Sequence, residues 1–196
     1  MGKVIADMSM SLDGFIADPH DAVGALFDWF EDGEETFTFP GDGREARVSA
    51  PSAEHLRGML ARVGAVVCGR RLYEVARGWG GSHPVGAPVF VVTHSPPDSA
   101  PAGSTPLTFV TDGVRSAIAQ AQSCAGERDV AVASASIASQ CLDAGLLDRI
   151  QVSLVPVLLG GGIPFFAHLR QAPVMLGDPR VIPGTRVTHL YYDVRR

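Results

Sequence analysis

Residues 64–74 read Gly64-Ala65-Val66-Val67-Cys68-Gly69-Arg70-Arg71-Leu72-Tyr73-Glu74, and this stretch decides the fold. Gly64 to Cys68 is a short apolar run, the pattern of a buried strand. It stops at Gly69, and two arginines follow at once. Leu72-Tyr73-Glu74-Val75-Ala76 can then begin a helix. A strand end, a tight glycine turn and a helix start bring backbone N–H groups and guanidinium groups to one place, which suits phosphate. The octet Val67–Glu74 also has a plainer reading, an ordinary strand-to-helix turn with two solvated arginines, because short motifs match by chance.

The same alternation runs outward in both directions. Val4 to Met10 is a first strand, Ser11-Leu12-Asp13-Gly14 a turn, and Phe15-Ile16-Ala17 a short continuation before the polar loop Asp18-Pro19-His20-Asp21. Leu26 to Phe30 carries an apolar stripe consistent with a short helix, and the acidic residues 31–51 read as a loop that partly covers something. Ser52 to Val63 is an amphipathic helix with Leu56, Leu60 and Val63 on one face and Met59 beside them. Pro88–Thr93 and Leu107–Val110 are the next strands, and Asp112 is placed to cap the helix that carries Val114, Ile118 and Ala121. Asp129–Ala133 is a fifth strand, Ser134-Ala135-Ser136 starts a helix ending near Gly145, and Arg149–Leu159 is a long sixth strand broken by Gly160-Gly161-Gly162. Residues 173–194 read as a closing hairpin with Pro183-Gly184 as its turn.

Strand and helix in series argue an α/β fold of three layers: a mostly parallel central sheet, helices on both faces, and a C-terminal antiparallel hairpin at one edge. No linker or repeat divides the chain, so residues 1–196 form a single domain.

Composition sets the function classes aside. With 46% hydrophobic and 19% charged residues the chain is globular rather than disordered. The net charge of −5 and the scatter of 16 basic residues, adjacent only at Arg70-Arg71 and Arg195-Arg196, argue against a nucleic-acid partner. Cys68, Cys124 and Cys141 include no C-x-x-C pair, so no metal centre is expected, and reduced thiols fit the cytoplasm. The start of the chain meets Asp7 too early for a signal peptide. Ala6 stands where myristoylation needs Ser or Thr. No apolar run approaches the ~20 residues of a membrane span.

In such a sheet ligands bind beyond the carboxyl ends of the strands. The polar or glycine-rich stretches Ser9–Ala17, Gly69-Arg70-Arg71, Thr93-His94-Ser95, Ser134-Ala135-Ser136 and Gly160–Gly162 all fall there. Their convergence into one crevice carries more weight than any one of them.

Five stretches, taken in order, carry a resemblance. They are Ser11–Ala17, Val67–Glu74, Phe90–His94, Gly145–Ile150 and Pro156–Gly162. The chain resembles the dihydrofolate reductase-like superfamily, and within it the reductase domain of the bifunctional riboflavin-biosynthesis deaminase–reductase. The resemblance runs from about residue 3 to 194. It implies an NADPH-dependent reductase in which Gly69, Arg70, Arg71 and Leu72 form the phosphate turn and Thr93, His94 and Ser95 take the adenosine side. It further implies that Ser134, Ala135, Ser136 and Ile137 form a second phosphate turn, with Ala6, Ile16 and Ala17 near the nicotinamide. Two departures stand out: Ser134-Ala135 replaces the family's usual Gly-Gly pair, and Leu72 replaces its usual Thr or Ser. The zinc deaminase signature H-x-E with P-C-x-x-C is absent, as are G-x-G-x-x-G and the P-loop.

Two carboxylates are candidates for the chemistry. Asp28, beside Trp29, falls in the segment where dihydrofolate reductases hold their pterin, or is a solvated helix residue. Asp13 is the other, or it stabilises a turn. Trp29 and Gly161 are candidate substrate contacts. His94 suits proton transfer or phosphate contact. The expected activity is NADPH-dependent reduction of a pyrimidine, pterin or related small heterocycle. The alternatives are a non-catalytic nucleotide-binding or regulatory module, and a flavin enzyme. A homodimer is expected from the apolar hairpin edge and the family's habit.

Overall fold

Val4, Ala6, Met8 and Met10 alternate along the first strand with Ile5, Asp7, Ser9 and Ser11. Successive side chains point to opposite faces, so one strand presents an apolar side and a largely polar side. A computed structural model describes residues 2–195; Met1 of the Met1-Gly2 start and Arg196 of the terminal arginine pair lie outside the described residues. In chain order the elements are β1 (Val4–Ser11), β2 (Phe15–Ala17), β3 (Glu35–Thr38), β4 (Glu45–Val48), α1 (Ala50–Arg62) and β5 (Val63–Gly69). They continue with α2 (Arg70–Val75), β6 (Val89–Val92), β7 (Leu107–Val110), α3 (Val114–Ala125), β8 (Asp129–Val132) and α4 (Ala135–Asp143). The chain closes with β9 (Arg149–Val155), β10 (Ile163–Pro164), β11 (Arg180–Gly184) and β12 (Val187–Asp193).

The main sheet has eight strands in the order β11-β12-β9-β1-β8-β5-β6-β7. From β9 to β7 every neighbouring pair is parallel, while β12 runs antiparallel to both β9 and β11. The expected α/β architecture and its edge hairpin are therefore observed. Strands β5 and β8 are buried along their whole length, as strands covered on both faces must be.

The largest core lies under α3 and α4. There Ile118, Ala121, Ile137 and Cys141 meet Val4, Ala6, Val67, Val130 and Ile150 of the sheet, with Phe165 fully enclosed. On the other face, Ala53, Leu56 and Leu60 of α1 pack with Leu26, Trp29 and Phe37. A third cluster joins Tyr73 of α2 to Val66, Cys68, Val89 and Val91.

Several local readings need correction. The stripe at 26–30 forms two single 3₁₀ turns, Gly24–Leu26 and Asp28–Phe30, rather than one helix. The stretch 31–51 contains the hairpin β3–β4 and the start of α1. Asp112 does not cap α3: the capping position is Gly113, at φ 93°, which an L-residue adopts only with strain. Strand β9 stops at Val155, because Pro156 has no N–H for the ladder. The closing turn is Thr185-Arg186, with Arg186 at φ 55°, and Pro183-Gly184 lies within β11. A proline is tolerated there because β11 is an edge strand.

Phe165→Ala is expected to lower stability by about 3–5 kcal/mol, since its ring is fully buried and leaves a cavity. Leu158→Ala, at a side chain 70% exposed, is expected to stay within about 0.5 kcal/mol of the parent. Urea unfolding midpoints measure both, and equal shifts would contradict this core.

Candidate functional site

The turns that leave β5, β6 and β8 meet in a cleft of about 370 Å³. Gly69, Arg70, Arg71, Thr93, His94, Ser95, Ser134, Ser136 and Ile137 all line it. These are nine of the residues anticipated from the sequence, and they come together because parallel strands deliver their carboxyl ends to one edge.

Close packing explains the glycine. A Cβ on Gly69 would stand 3.1 Å from Ser134 Oγ and 3.6 Å from Ser136 Oγ. The two turns thus abut through a position where even a Cβ would be tight against the Ser134 hydroxyl. Ser134 is the capping residue of α4, with φ −166° and ψ 130°, and makes no side-chain capping bond. The first N–H groups of a helix have no partner within it, so this end presents donors and the positive end of the helix dipole.

Both arginines are already engaged. Arg70 Nε donates to Glu74 Oε1 at 2.6 Å, and its guanidinium also donates to the Ser95 carbonyl. Arg71 forms a two-pronged pair with Asp21 at 2.9 Å on each arm, which holds its pKa above the usual arginine value. The Thr93 hydroxyl donates to the Ser95 carbonyl at 3.0 Å and accepts from the Ser95 N–H at 3.2 Å, so it shapes the turn after β6.

Other anticipated residues lie elsewhere. Leu72 packs against the Tyr73 cluster, and Ala135 against the main core, so neither lines the cleft. Ala6 and Ile16 are buried in that same core, and Ala17 is buried where Gly162 closes on its carbonyl. A Cβ on Gly162 would come within 2.0 Å of the Ala17 oxygen, whereas Gly161 faces open space. Trp29 is 2% exposed and donates from Nε1 to Ser9 Oγ at 3.3 Å, so it is a core residue. Asp28 is exposed and lines neither this cleft nor the larger cavity described below.

Asp13 is a staple. Its carboxylate accepts from Ser11 Oγ at 2.6 Å and from the N–H groups of Gly160 at 2.7 Å and Leu159 at 3.1 Å. These bonds, the Ser11 hydroxyl foremost, keep its carboxyl below the ordinary value. It ties the turn after β1 to the glycine-rich loop after β9.

The polar side of β1 belongs to a feature the sequence reading missed. Asp7 of β1, Gln151 of β9, Tyr191 of β12 and Arg180 of β11 stand opposite one another across four strands. Ser9, Ser153 and His189 form the next row. A cavity of about 900 Å³ lies between this face and α1. Burial raises the Asp7 carboxyl to about 7, with Gln151 opposing the rise. Burial also lowers His189 to about 4, while burial and then the charges of His189 and Arg180 lower His55 to about 3. Ser52 Oγ and Ser153 Oγ lie 3.0 Å from the two ring nitrogens of His189, and His55 Nδ1 bonds the Tyr191 hydroxyl. The signal was period-two alternation: Asp7, Ser9 and Ser11 in one strand, Arg149, Gln151 and Ser153 in another.

Comparison with known proteins places this geometry. The profile of the RibD C-terminal domain matches residues 2–191. No curated protein sequence matches the chain. Among solved structures, a protein assigned to riboflavin biosynthesis from Shewanella sp. PV-4 aligns with a TM-score of 0.71 and 22% identity over 99% of each chain. A diaminohydroxyphosphoribosylaminopyrimidine deaminase/5-amino-6-(5-phosphoribosylamino)uracil reductase from Thermotoga maritima aligns at 0.63 and 14% identity, over 99% of this chain and 57% of its own. Dihydrofolate reductase from Enterococcus faecalis, complexed with NADP(H), aligns at 0.59 and 13% identity over 100% and 98%. At these identities the likeness is one of fold.

The polar face sets the pH response. His189 is neutral when folded and accepts a proton near 6.5 when unfolded, so the unfolded state binds more protons and stability falls as pH drops from about 6.5 toward 4. Asp7 acts in the opposite sense: its contribution is present below pH 3.8 and is lost as pH rises through about 7. Asp7→Asn is therefore expected to raise the melting temperature at pH 8 relative to the parent and to give no gain at pH 4, as read by calorimetry across that range.

Proposed function

We propose that this chain, which belongs to the RibD C-terminal domain family, is an NADPH-dependent reductase of a small pyrimidine- or pterin-like heterocycle. One observation carries the reading: nine strand-end residues chosen from the sequence line a single cleft at the start of α4. The fold shared with a dihydrofolate reductase complexed with NADP(H) supports the same cofactor.

The residues fit a dinucleotide's phosphates. The α4 start supplies N–H donors, and Gly69 lets the two turns sit within contact of one another. Ser134 adds a hydroxyl where the first glycine of the family's pair would add only backbone, and Ser136 brings a second hydroxyl to the same turn. The pyrophosphate would be held there. Arg70 and Arg71 would take the 2′-phosphate side, the exposed Arg71–Asp21 pair exchanging one anion for another. Thr93, His94 and Ser95 would border the adenosine ribose.

When bound, the cofactor supplies hydride; the chain supplies position. Asp13 holds the turn after β1 against residues 159–160, and Gly162 packs on Ala17, so the two loops beside the β1 end are tied together. The exposed apolar side chains Met175 and Val181 support a homodimer through the hairpin edge, and the free cysteines fit the cytoplasm.

Titration with NADPH, read by tryptophan fluorescence, is expected to saturate. Arg71→Ala and Arg70→Ala should each weaken NADPH by about tenfold, equal to 1.4 kcal/mol, with a smaller effect on NADH. Lack of saturation at millimolar NADPH would sink the reading. Oxidation of NADPH at 340 nm with 5-amino-6-(5-phosphoribosylamino)uracil or dihydrofolate separates the reductase from a binding module, which would bind cofactor and turn over neither.

A further inference from the structure

The charges at the strand-end cleft are balanced within the chain. Arg70 and Arg71 line it as permanent cations, and among the described residues no carboxylate lines it with them. Each arginine is met instead by an acid from outside the lining. The two acids differ in origin. Glu74 stands one turn along α2 from Arg70, an ordinary pairing of helical residues four apart. Asp21 comes from the loop after β2, 50 positions before Arg71.

That loop holds its carboxylate in place. The Asp18 N–H donates to the Ala22 carbonyl at 2.9 Å, and the Asp21 N–H to the Asp18 carbonyl at 3.1 Å. The Asp18 carboxylate accepts from the N–H groups of His20 at 2.7 Å and Ala22 at 2.9 Å. These bonds, Ala22 foremost, keep the Asp18 carboxyl below its ordinary value, so the closure persists across the neutral range. Asp21 itself stands at φ 65°, a backbone region that few residues other than glycine occupy. A side chain presented from a closed loop loses little freedom when it engages a partner.

The engagement has the form of anion recognition. Asp21 Oδ1 accepts from Arg71 Nε and Asp21 Oδ2 from Arg71 Nη2, both at 2.9 Å. This is the parallel fork by which arginine takes a carboxylate or a phosphate. One edge of the guanidinium is thereby filled. The Arg71 side chain is 64% exposed and that of Asp21 28%, so water competes for the pair and it opens at small cost.

We infer that Asp21 is a specificity-determining residue of this cleft, an internal competitor that holds Arg71 against the 2′-phosphate of the cofactor. The inference rests on the NADPH reading of the cleft given above. A cofactor with a 2′-phosphate must displace the Asp21 carboxylate or share Arg71 with it, and in sharing the two anions repel. Either way part of the gain from the phosphate is lost. A cofactor without that phosphate makes no such demand on Arg71. Asp21 therefore narrows the preference for NADPH over NADH, and its charge rather than its shape does so.

Asp21→Asn and Asp21→Gly both remove the charge, and both residues tolerate the backbone angle of the loop. Titration of the full chain with NADPH and with NADH, read by tryptophan fluorescence, gives the two affinities. Each variant is expected to bind NADPH about fivefold more tightly than the parent, the worth of a favourable exposed ion pair, and NADH within about twofold. In an Arg71→Ala background Asp21→Asn should change neither affinity, because the competitor has lost its target. A merely structural role would move both cofactors together and would persist without Arg71. Unchanged or weaker NADPH binding by both variants, an equal gain for NADH, or a gain that survives in Arg71→Ala would each overturn the inference. Loss of the folded state in both variants, read by calorimetry, would overturn it too. In all these cases saturation of the parent by NADPH still upholds the cleft. If neither the parent nor any variant saturates at millimolar NADPH, the cofactor reading fails and the inference with it.

Discussion

The insertion of β1 between β8 and β9 is the constraint on which the molecule turns. Ala6 pairs with Val132 on one side and Ile150 on the other, so the first strand of the chain is zipped by two strands that arrive more than a hundred residues later. All three run parallel, which forces each connection to cross a face of the sheet and return. Helices α3 and α4 are such crossings. The turns that leave β5, β6 and β8 therefore emerge at one edge, and the strand-end cleft is the consequence. The same pairing aligns Asp7 with Gln151 on the reverse face. One ladder thus positions two different pieces of chemistry.

The faces part company because the crossings are unequal. The side under α3 and α4 is closed by two helices of eight or more residues and by Phe165, and it excludes water. The other side is covered by α1, by short 3₁₀ turns and by the β3–β4 hairpin, which leave a gap that runs from β11 across β12, β9 and β1 to β8. Polar residues collect along that gap. His189, held by Ser52 and Ser153, stacks on His55 beside the gap, while Asp7 and Gln151 line the cavity.

Much of this was legible in residues that act locally. Gly69-Arg70-Arg71 marks a strand end because an apolar run meets a glycine and charges within three positions, and no distant contact is needed to read it. Ser134 and Ser136 announce a helix start for the same reason. Leu72 and Ala135 sit in the same motifs yet turn into the core, since a helix sends neighbouring side chains in directions about 100° apart. Asp112 failed as a cap because Gly113, one residue on, reaches a backbone angle that aspartate does not favour. Asp28 and Asp13 could not be told apart in sequence: each is an acid near a turn. Packing alone exposes the first and ties the second to Leu159 and Gly160.

By itself the sequence determined the α/β class, the order of the strands along the chain and the turns that border the cleft. These follow from short-range pattern, where hydrophobic period and turn chemistry act within a few residues. Only the tertiary structure decided that Asp7, Gln151, Tyr191 and Arg180 share one row, that Trp29 belongs to the core, and that both arginines of the opening turn already hold acidic or carbonyl partners. Strand register joins residues separated by 144, 40 and 11 positions, and nothing in any one of those segments specifies the others. A long-range ladder is chosen by the whole set of faces that must be buried together, and that choice is made only when the chain folds.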